Sequence, residues 1–321
     1  MTTPPAESEI RRVAIVGAGA IGSSWTVLFL AHGLDVCVTD PAPGAEQRLR
    51  SFVERTRPAP VADGRHATAR SSGRLQFAAS LAAAVRDADF VQECAPERFD
   101  FKQQLFSELD AIVPPTVVLA SSSSGLVMSK LQSDCRHPER CVIGHPFNPP
   151  HLIPLVELVG GNQTSPHFLD VADRFYTRLG KRVIRLHKEV PGHVANRLQA
   201  ALWREAVHLV AEGVVSVADV DAAVCWGPGL RWGLMGPNLV FHLGGGEGGI
   251  THFLEHLSGP FSDWWADLGD PKLTPELRKK IVDGVHAEAA GRSIEALAQQ
   301  RDDFLVQLLA IRRSAAASSL Q

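Results

Sequence analysis

The chain has 321 residues, 45% apolar and 21% charged, which is ordinary for a soluble globular protein and enough for two domains with cores of their own. A formal net charge of −3 offers no basic excess for nucleic acid, so no nucleic-acid partner is expected. Five cysteines without a CxxC pair, an N-terminal stretch without an apolar segment, and no run near the ~18 apolar residues of a membrane span predict a cytoplasmic protein with no disulfide framework and no membrane partner.

Val13-Ala14-Ile15-Val16 reads as a short buried strand. It runs into Gly17-Ala18-Gly19-Ala20-Ile21-Gly22, a helical pattern from Ser23 to His32, a stop at Gly33 and a second strand from Asp35 to Asp40. A GxGxxG between a strand and a helix, with an acid at the end of the next strand, is the pattern of a dinucleotide site. Gly17 permits the tight turn, Gly19 lets the backbone approach a pyrophosphate, and Gly22 lets the helix lie close to the strand. The helix N-terminus offers unpaired N–H groups to the phosphates, and Ala20 and Ile21 are counted with the glycines as cofactor-binding. Asp40 accepts ribose hydroxyls and repels a 2′-phosphate, which favours NAD over NADP.

Residues 45–73 read as a helical hairpin broken at Pro58-Ala59-Pro60 and Asp63-Gly64, with an arginine-rich face better explained by solvation than by a ligand. From Leu75 the alternation of strand and helix resumes. A helix at Ser80–Val85 precedes a strand at Asp89–Glu93, a helix at Phe99–Asp110 and a strand at Val117–Ala120. Four serines, Ser121–Ser124, and Gly125 follow, and a helix is expected from Leu126. Ile143-Gly144-His145 ends another strand before a turn stiffened by Pro146, Pro149 and Pro150. Leu155–Val159 is a further apolar run, and Arg182–Leu186 a last strand. In doubly wound sheets ligands gather at the carboxyl ends of strands, so the glycine loop, Glu93–Glu97, Ser121–Gly125 and His145 are predicted to share one edge.

After Pro191-Gly192 the strand signals fade. A long helix is expected at His193–Glu212, and another at Ser216–Trp226 with a capping box of Ser216 and Asp219, ended by Gly227-Pro228-Gly229. Thr274-Pro275 and Ser293 open two more, and Ser314–Gln321 reads as a frayed tail. The prediction is an α/β Rossmann-type doubly wound sheet over residues 1–189, followed by an all-α C-terminal domain over residues 190–321.

His145 carries the chemistry. A lone histidine at a strand end is more often structural than catalytic, but Glu157, twelve residues on, sits in an apolar run where an unpartnered carboxylate is costly. A carboxylate beside one ring nitrogen fixes the tautomer and leaves the other nitrogen to take a proton. Ser124 lies in no G-x-S-x-G elbow, so it suits holding a substrate oxygen better than attacking as a nucleophile. Asn196 opens the long helix and shares a face with residues 200, 203 and 207, which directs it toward the cleft expected between the domains. Thirteen histidines show no H-E-x-x-H and no compact ligand cluster, so no metal is assigned.

These residues resemble a known family. Gly17-x-Gly-x-x-Gly22 with Asp40, Glu97 with Lys102, Ser124, His145-x-Phe-Asn-Pro149, Glu157 and Pro191-Gly-x-x-x-Asn-Arg197 are similar to the motifs of the 3-hydroxyacyl-CoA dehydrogenases, over nearly the whole chain. The resemblance implies NAD as cofactor and a His145–Glu157 pair that takes the proton of a 3-hydroxyl. It also implies that Ser124 and Asn196 hold the substrate oxygen, that Glu97 and Lys102 contact the cofactor, and that the helical domain forms a homodimer. Gln92–Arg98, Leu202–Ala206 and Gly229–Trp232 are more similar to the carnitine-oxidising branch than to the acyl-CoA enzymes, implying a small 3-hydroxy acid, with L-carnitine foremost.

A trimethylammonium group has no hydrogen to donate, so aromatic faces suit it. Phe147, Trp203, Trp226 and Trp232 are available for it, as are Phe241 and Phe253, and Arg231 suits a carboxylate. His193 departs from the family pattern, which leads to phenylalanine there. The alternatives are a 3-hydroxyacyl-CoA or L-gulonate substrate, or a non-catalytic NAD-binding or structural protein.

Overall fold

The computed structural model describes residues 10–56 and 73–318. These fall into two compact units, one ending at Asn196 and the other beginning at Arg197.

The first unit is built on one eight-stranded sheet, in the order β3-β2-β1-β4-β5-β6-β7-β8. The strands are β1 (Arg12–Val16), β2 (Asp35–Thr39), β3 (Leu75–Phe77), β4 (Phe90–Glu93), β5 (Val118–Ser121), β6 (Cys141–Pro146), β7 (Leu155–Gly160) and β8 (Arg182–Arg185). Neighbouring strands are parallel except β6 and β7, which run antiparallel. The strand order turns back between β1 and β4, which is where a doubly wound sheet opens its crevice.

Alternation along β1 divides the core. Val13 and Ile15 face α1 (Ala20–Ala31) and α6 (Pro166–Arg178), where Trp25, Phe29, Phe168, Phe175 and Tyr176 are packed. Ala14 and Val16 face α3 (Leu81–Val85), α4 (Phe99–Ile112) and the one-turn α5 (Met128–Leu131), through Val85, Leu105, Phe106, Leu109 and Leu131. Each fully buried Leu or Phe contributes about 1.5–3 kcal/mol. α2 (Ala45–Arg55) follows β2; the rest of the expected hairpin, with its proline and Asp63-Gly64 breaks, lies outside the described residues.

β3 and α6 went unforeseen. β3 is three residues long and pairs with β2 alone. α6 has a capping Ser165, Pro166 in its first turn and buried Phe168, Val171, Ala172, Phe175 and Tyr176 at helical spacing. The helix expected from Leu126 starts at Met128 and lasts one turn.

The second unit shows helices and no strand among its described residues. α7 (Ala195–Ala211) leads into it from the first unit. It starts two residues later than expected, because His193 takes φ 49° and is not helical. α8 (Val217–Trp226) opens on the capping box of Ser216 and Asp219. Gly227-Pro228-Gly229 does not simply end it, since Pro228 starts α9 (Pro228–Trp232) at once. α10 (Pro237–Gly244) packs on α11 (Gly249–Asp267) through Phe241, Phe253 and Phe261. α12 (Pro275–Ala289) begins at the Thr274 cap, and α13 (Ile294–Ser318) follows a Ser293 side chain that accepts the Ala296 amide. The tail expected to fray from Ser314 is therefore helical as far as Ser318. Among the described residues no helix is long and apolar enough to cross a membrane.

Candidate active site

The glycine loop at the carboxyl end of β1 is shaped by close approach. Gly17 sits at φ 103°, and a Cβ there would lie 2.6 Å from the Cys94 carbonyl oxygen. At Gly22 a Cβ would fall 1.9 Å from the Gly17 carbonyl oxygen, so helix and loop touch only because the side chain is a hydrogen. Gly19 differs: a Cβ would meet nothing within 4 Å, leaving open space above the first turn of α1. No side chain caps that helix, and its first amides, at Ala20, Ile21 and Gly22, have no intrahelical acceptor by geometry. An uncapped helix end with room over it suits a phosphate. Asp40, after β2, accepts the Ala18 amide at 2.7 Å and the Ala42 amide at 2.8 Å. It braces the loop, and each oxygen keeps a lone pair for a ribose hydroxyl. The cradle fits a dinucleotide.

Behind the loop lies a buried ionic cluster. Glu93, the last residue of β4, is fully buried and accepts the Lys102 ammonium at 2.5 Å, the Ala95 amide at 2.6 Å and the Ser121 hydroxyl at 2.5 Å. Lys102 is only 1% exposed and lies 3.7 Å from Glu97. The ammonium that sequence reading assigned to the cofactor is thus buried beneath the serine segment 121–125, on which it bears through Glu93 and Glu97. Glu97 Oε1 collects the Ser123 hydroxyl at 2.7 Å and the amides of Ser124 and Gly125, both at 2.9 Å. Burial pushes the Glu97 carboxyl up, but those hydrogen bonds and the Lys102 charge outweigh it and hold it below the usual value.

Antiparallel pairing brings His145 and Glu157 together. They are directly opposed in the β6–β7 register, which gives their spacing of twelve a geometric cause. His145 Nδ1 lies 2.8 Å from Glu157 Oε2, and Glu157 Oε1 accepts the amides of Val194 and Ala195 at 2.8 and 2.9 Å. Burial pushes this carboxyl up, and the His145 hydrogen bond with the two amides more than reverses it, leaving Glu157 below the usual carboxylate value. An ionised Glu157 makes Nδ1 the donor, so His145 Nε2 is the unprotonated nitrogen.

Ser124 is exposed on the serine loop, its hydroxyl donating to Glu97 Oε1 at 3.3 Å. Asn196 Nδ2 donates to the Ser124 carbonyl at 3.2 Å. His193 Nε2 lies 3.0 Å from the Ser123 carbonyl, and its ring centroid is 5.1 Å from that of His145. Within the first unit His145, Glu157, Ser124, Asn196 and Glu97 are therefore joined, directly or through one residue. The turn after His145 is tied down by Lys181, whose ammonium donates to the Pro150 carbonyl and, at 2.9 Å, to that of Ile153, under the Trp25 ring at 5.0 Å. Burial lowers Lys181 to about 7.

Sequence reading gave no site role to Glu93, Ser121, Ser123 or His193. Glu93 was visible as a charge ending an apolar strand. Phe147 is half-buried, its amide on the Leu155 carbonyl. Trp203, Trp226, Arg231 and Trp232 lie in the second unit on α7, α8 and α9, with Trp203 54% and Trp226 81% exposed. Phe241 and Phe253 stack on each other at 4.8 Å as packing residues of that unit. Among the described residues no group of three or more His, Cys, Asp or Glu is arranged to hold a metal ion.

Comparison with known proteins gives this arrangement its context. Residues 12–190 match the family model of the 3-hydroxyacyl-CoA dehydrogenase NAD binding domain, and residues 192–292 that of the C-terminal domain. The chain belongs to the 3-hydroxyacyl-CoA dehydrogenase family. Membership makes it an NAD-dependent oxidoreductase acting on a 3-hydroxy substrate. It is 50% identical to an L-carnitine dehydrogenase of Streptomyces coelicolor over 96% of each chain. A Pseudomonas L-carnitine dehydrogenase is 47% identical over 95% of each. Among solved structures, a 5-formyl-3-hydroxy-2-methylpyridine 4-carboxylic acid 5-dehydrogenase, an NAD+-dependent dismutase, superposes with TM-score 0.81 at 29% identity, covering 94% of this chain and 98% of that one. The family's (S)-3-hydroxybutyryl-CoA dehydrogenase from Ralstonia eutropha gives 0.58 at 26%, covering 88% and 95%.

Proposed function

We propose that the protein oxidises the 3-hydroxyl of L-carnitine to 3-dehydrocarnitine, with His145 and Glu157 as the proton-accepting pair. The observation that carries the substrate is near-half identity, over almost the full length of both chains, to relatives named L-carnitine dehydrogenase. The hydrogen-bonded His145–Glu157 pair supports the mechanism.

In this reading residues 1–189 bind NAD, through Gly17, Gly19, Ala20, Ile21, Gly22 and Asp40, with Glu97 and the buried Lys102 supporting the serine segment 121–125 on the same sheet edge. Bound NAD supplies the hydride acceptor. His145 Nε2 receives the hydroxyl proton as the carbinol becomes a ketone, and Glu157 balances the imidazolium that results. Ser124 and Asn196 hold the substrate oxygen, and Phe147, Trp203, Trp226, Trp232 and Arg231 recognise the rest of the molecule. Residues 190–321 are the helical substrate and dimerisation domain. The support for a homodimer is the large exposed apolar surface on α11 and α13, with Trp264 60%, Trp265 68% and Phe304 69% exposed. The compartment is the cytoplasm.

The test is NADH formation at 340 nm across a panel of L-carnitine, L-gulonate and a short 3-hydroxyacyl-CoA. L-Carnitine should be the preferred substrate, and His145→Ala should lose about 10²–10⁴-fold in kcat. Activity confined to the acyl-CoA sinks the substrate assignment, and an active His145→Ala sinks the mechanism. Sedimentation as a monomer at micromolar concentration would remove the dimer.

A further inference from the structure

Pro191-Gly192 delivers His193 at φ 49°, a region a non-glycine residue keeps only when its surroundings hold it there. The imidazole is 1% exposed. Its Nε2 faces the Ser123 carbonyl at 3.0 Å and must donate, because a carbonyl oxygen only accepts. Nδ1 is then the unprotonated nitrogen; it is buried and has no hydrogen-bond partner among the described residues. A proton on Nδ1 would create a buried N–H with no acceptor, beside the ring of His145. Burial lowers the proton affinity of His193, and His145 adds to that. The Ser123 carbonyl, Glu157 and Glu97 pull the other way, and the pKa stays below its ordinary value.

We propose that His193 is a positioning residue for the dehydrogenase reaction: a neutral donor that pins the Ser123 carbonyl and so fixes the Ser124 hydroxyl relative to His145. The proposal rests on the roles given above to His145 and Ser124. The serine loop is gripped from two sides. Glu97 takes the Ser123 hydroxyl and the amides of Ser124 and Gly125. From the other side His193 and Asn196 donate to the consecutive carbonyls of Ser123 and Ser124. Between these two residues, the amides of Val194 and Ala195 hold Glu157. One four-residue segment thus sets the acid–base pair and the serine loop in a common frame. Neutrality matters as much as the bond. A second cation against His145 would oppose the charge that His145 takes from substrate. Phenylalanine would match the neutrality but supply no donor.

The experiment compares wild type, His193→Phe and His193→Gln in the full chain. His193→Phe should lower kcat about tenfold, the rate equivalent of one lost neutral hydrogen bond. NADH affinity, measured by equilibrium binding, should stay within about twofold, since His193 touches none of the loop that cradles the cofactor. His193→Gln, which restores a donor, should recover most of the loss. NMR of ¹⁵N-histidine-labelled wild type should show His193 as the Nε2–H tautomer across the pH range in which the enzyme turns over. Wild-type kcat in His193→Phe, or equal loss in both variants, overturns the proposal. So does a His193 protonated on Nδ1 within that pH range, a readout that stands even if a variant fails to fold. Should the wild type turn over no hydroxy acid, the functional reading fails and the tautomer still decides the hold on Ser123.

Discussion

Glu157 divides its two oxygens between two tasks. Oε2 orders His145, and Oε1 anchors the segment that begins α7. Glu157→Gln separates them. The amide oxygen still accepts the two backbone amides, but its NH₂ then faces Nδ1 and forces the tautomer whose proton sits on Nε2. That imidazole accepts no substrate proton. The expected result is a fold that survives with kcat reduced about 10²–10⁴-fold, checked by NADH formation together with circular dichroism. Retention of wild-type kcat would show that the carboxylate does not set the tautomer. Because the carboxyl is held below its ordinary value, its stabilising contribution is complete above the usual carboxylate range and is lost as acid takes the pH through the folded value. The pair itself was readable from His145 at a strand end and a carboxylate inside Leu155–Val159. The two amides that saturate Glu157 were not, because they arrive from residues 194 and 195, far along the chain.

At the level of elements, the β1–α1 turn makes opposite demands on two glycines. Gly22→Ala would drive a methyl to 1.9 Å from the Gly17 carbonyl oxygen and should cost at least ~1–3 kcal/mol of stability. Gly19 has φ −68°, ψ −170° and open space around it, so Gly19→Ala should fold at least as stably as wild type. Its methyl would project into the room over the uncapped helix end, so NAD affinity should fall about tenfold or more. Thermal melting and NADH titration of both variants check this; a Gly19→Ala chain with unchanged affinity would remove the pyrophosphate from that helix end. The close approaches at Gly17 and Gly22 were legible, because glycine spacing encodes backbone approach, whereas the helix starts at Ala20 and not at the expected Ser23. α6 was legible too, in Ser165-Pro166 and its apolar spacing, but went unread. β3 was not, since three residues carry too little pattern and its existence depends on pairing with β2.

For the molecule as a whole, the shared edge of β1, β4, β5 and β6 followed from the order of strands and crossovers, because parallel pairing sends every carboxyl end the same way. The antiparallel insertion of β7 was hidden, since periodicity gives no strand direction. Lys181 lay equally out of sight, as a lysine in sequence reads as solvent-exposed. Its burial ties folding to proton concentration. Between about pH 7 and its ordinary value of 10.5, the unfolded chain carries a proton on this amine that the folded chain has released. Stability therefore rises with pH across that window. The melting temperature of wild type should climb relative to that of Lys181→Met from pH 7.5 to 10; a constant difference would mean that Lys181 does not titrate there. Alcohol oxidation liberates a proton and is itself drawn forward by alkalinity. The strain that the buried Lys181 charge places on the turn after His145 is thus relieved in the same medium that favours the ketone.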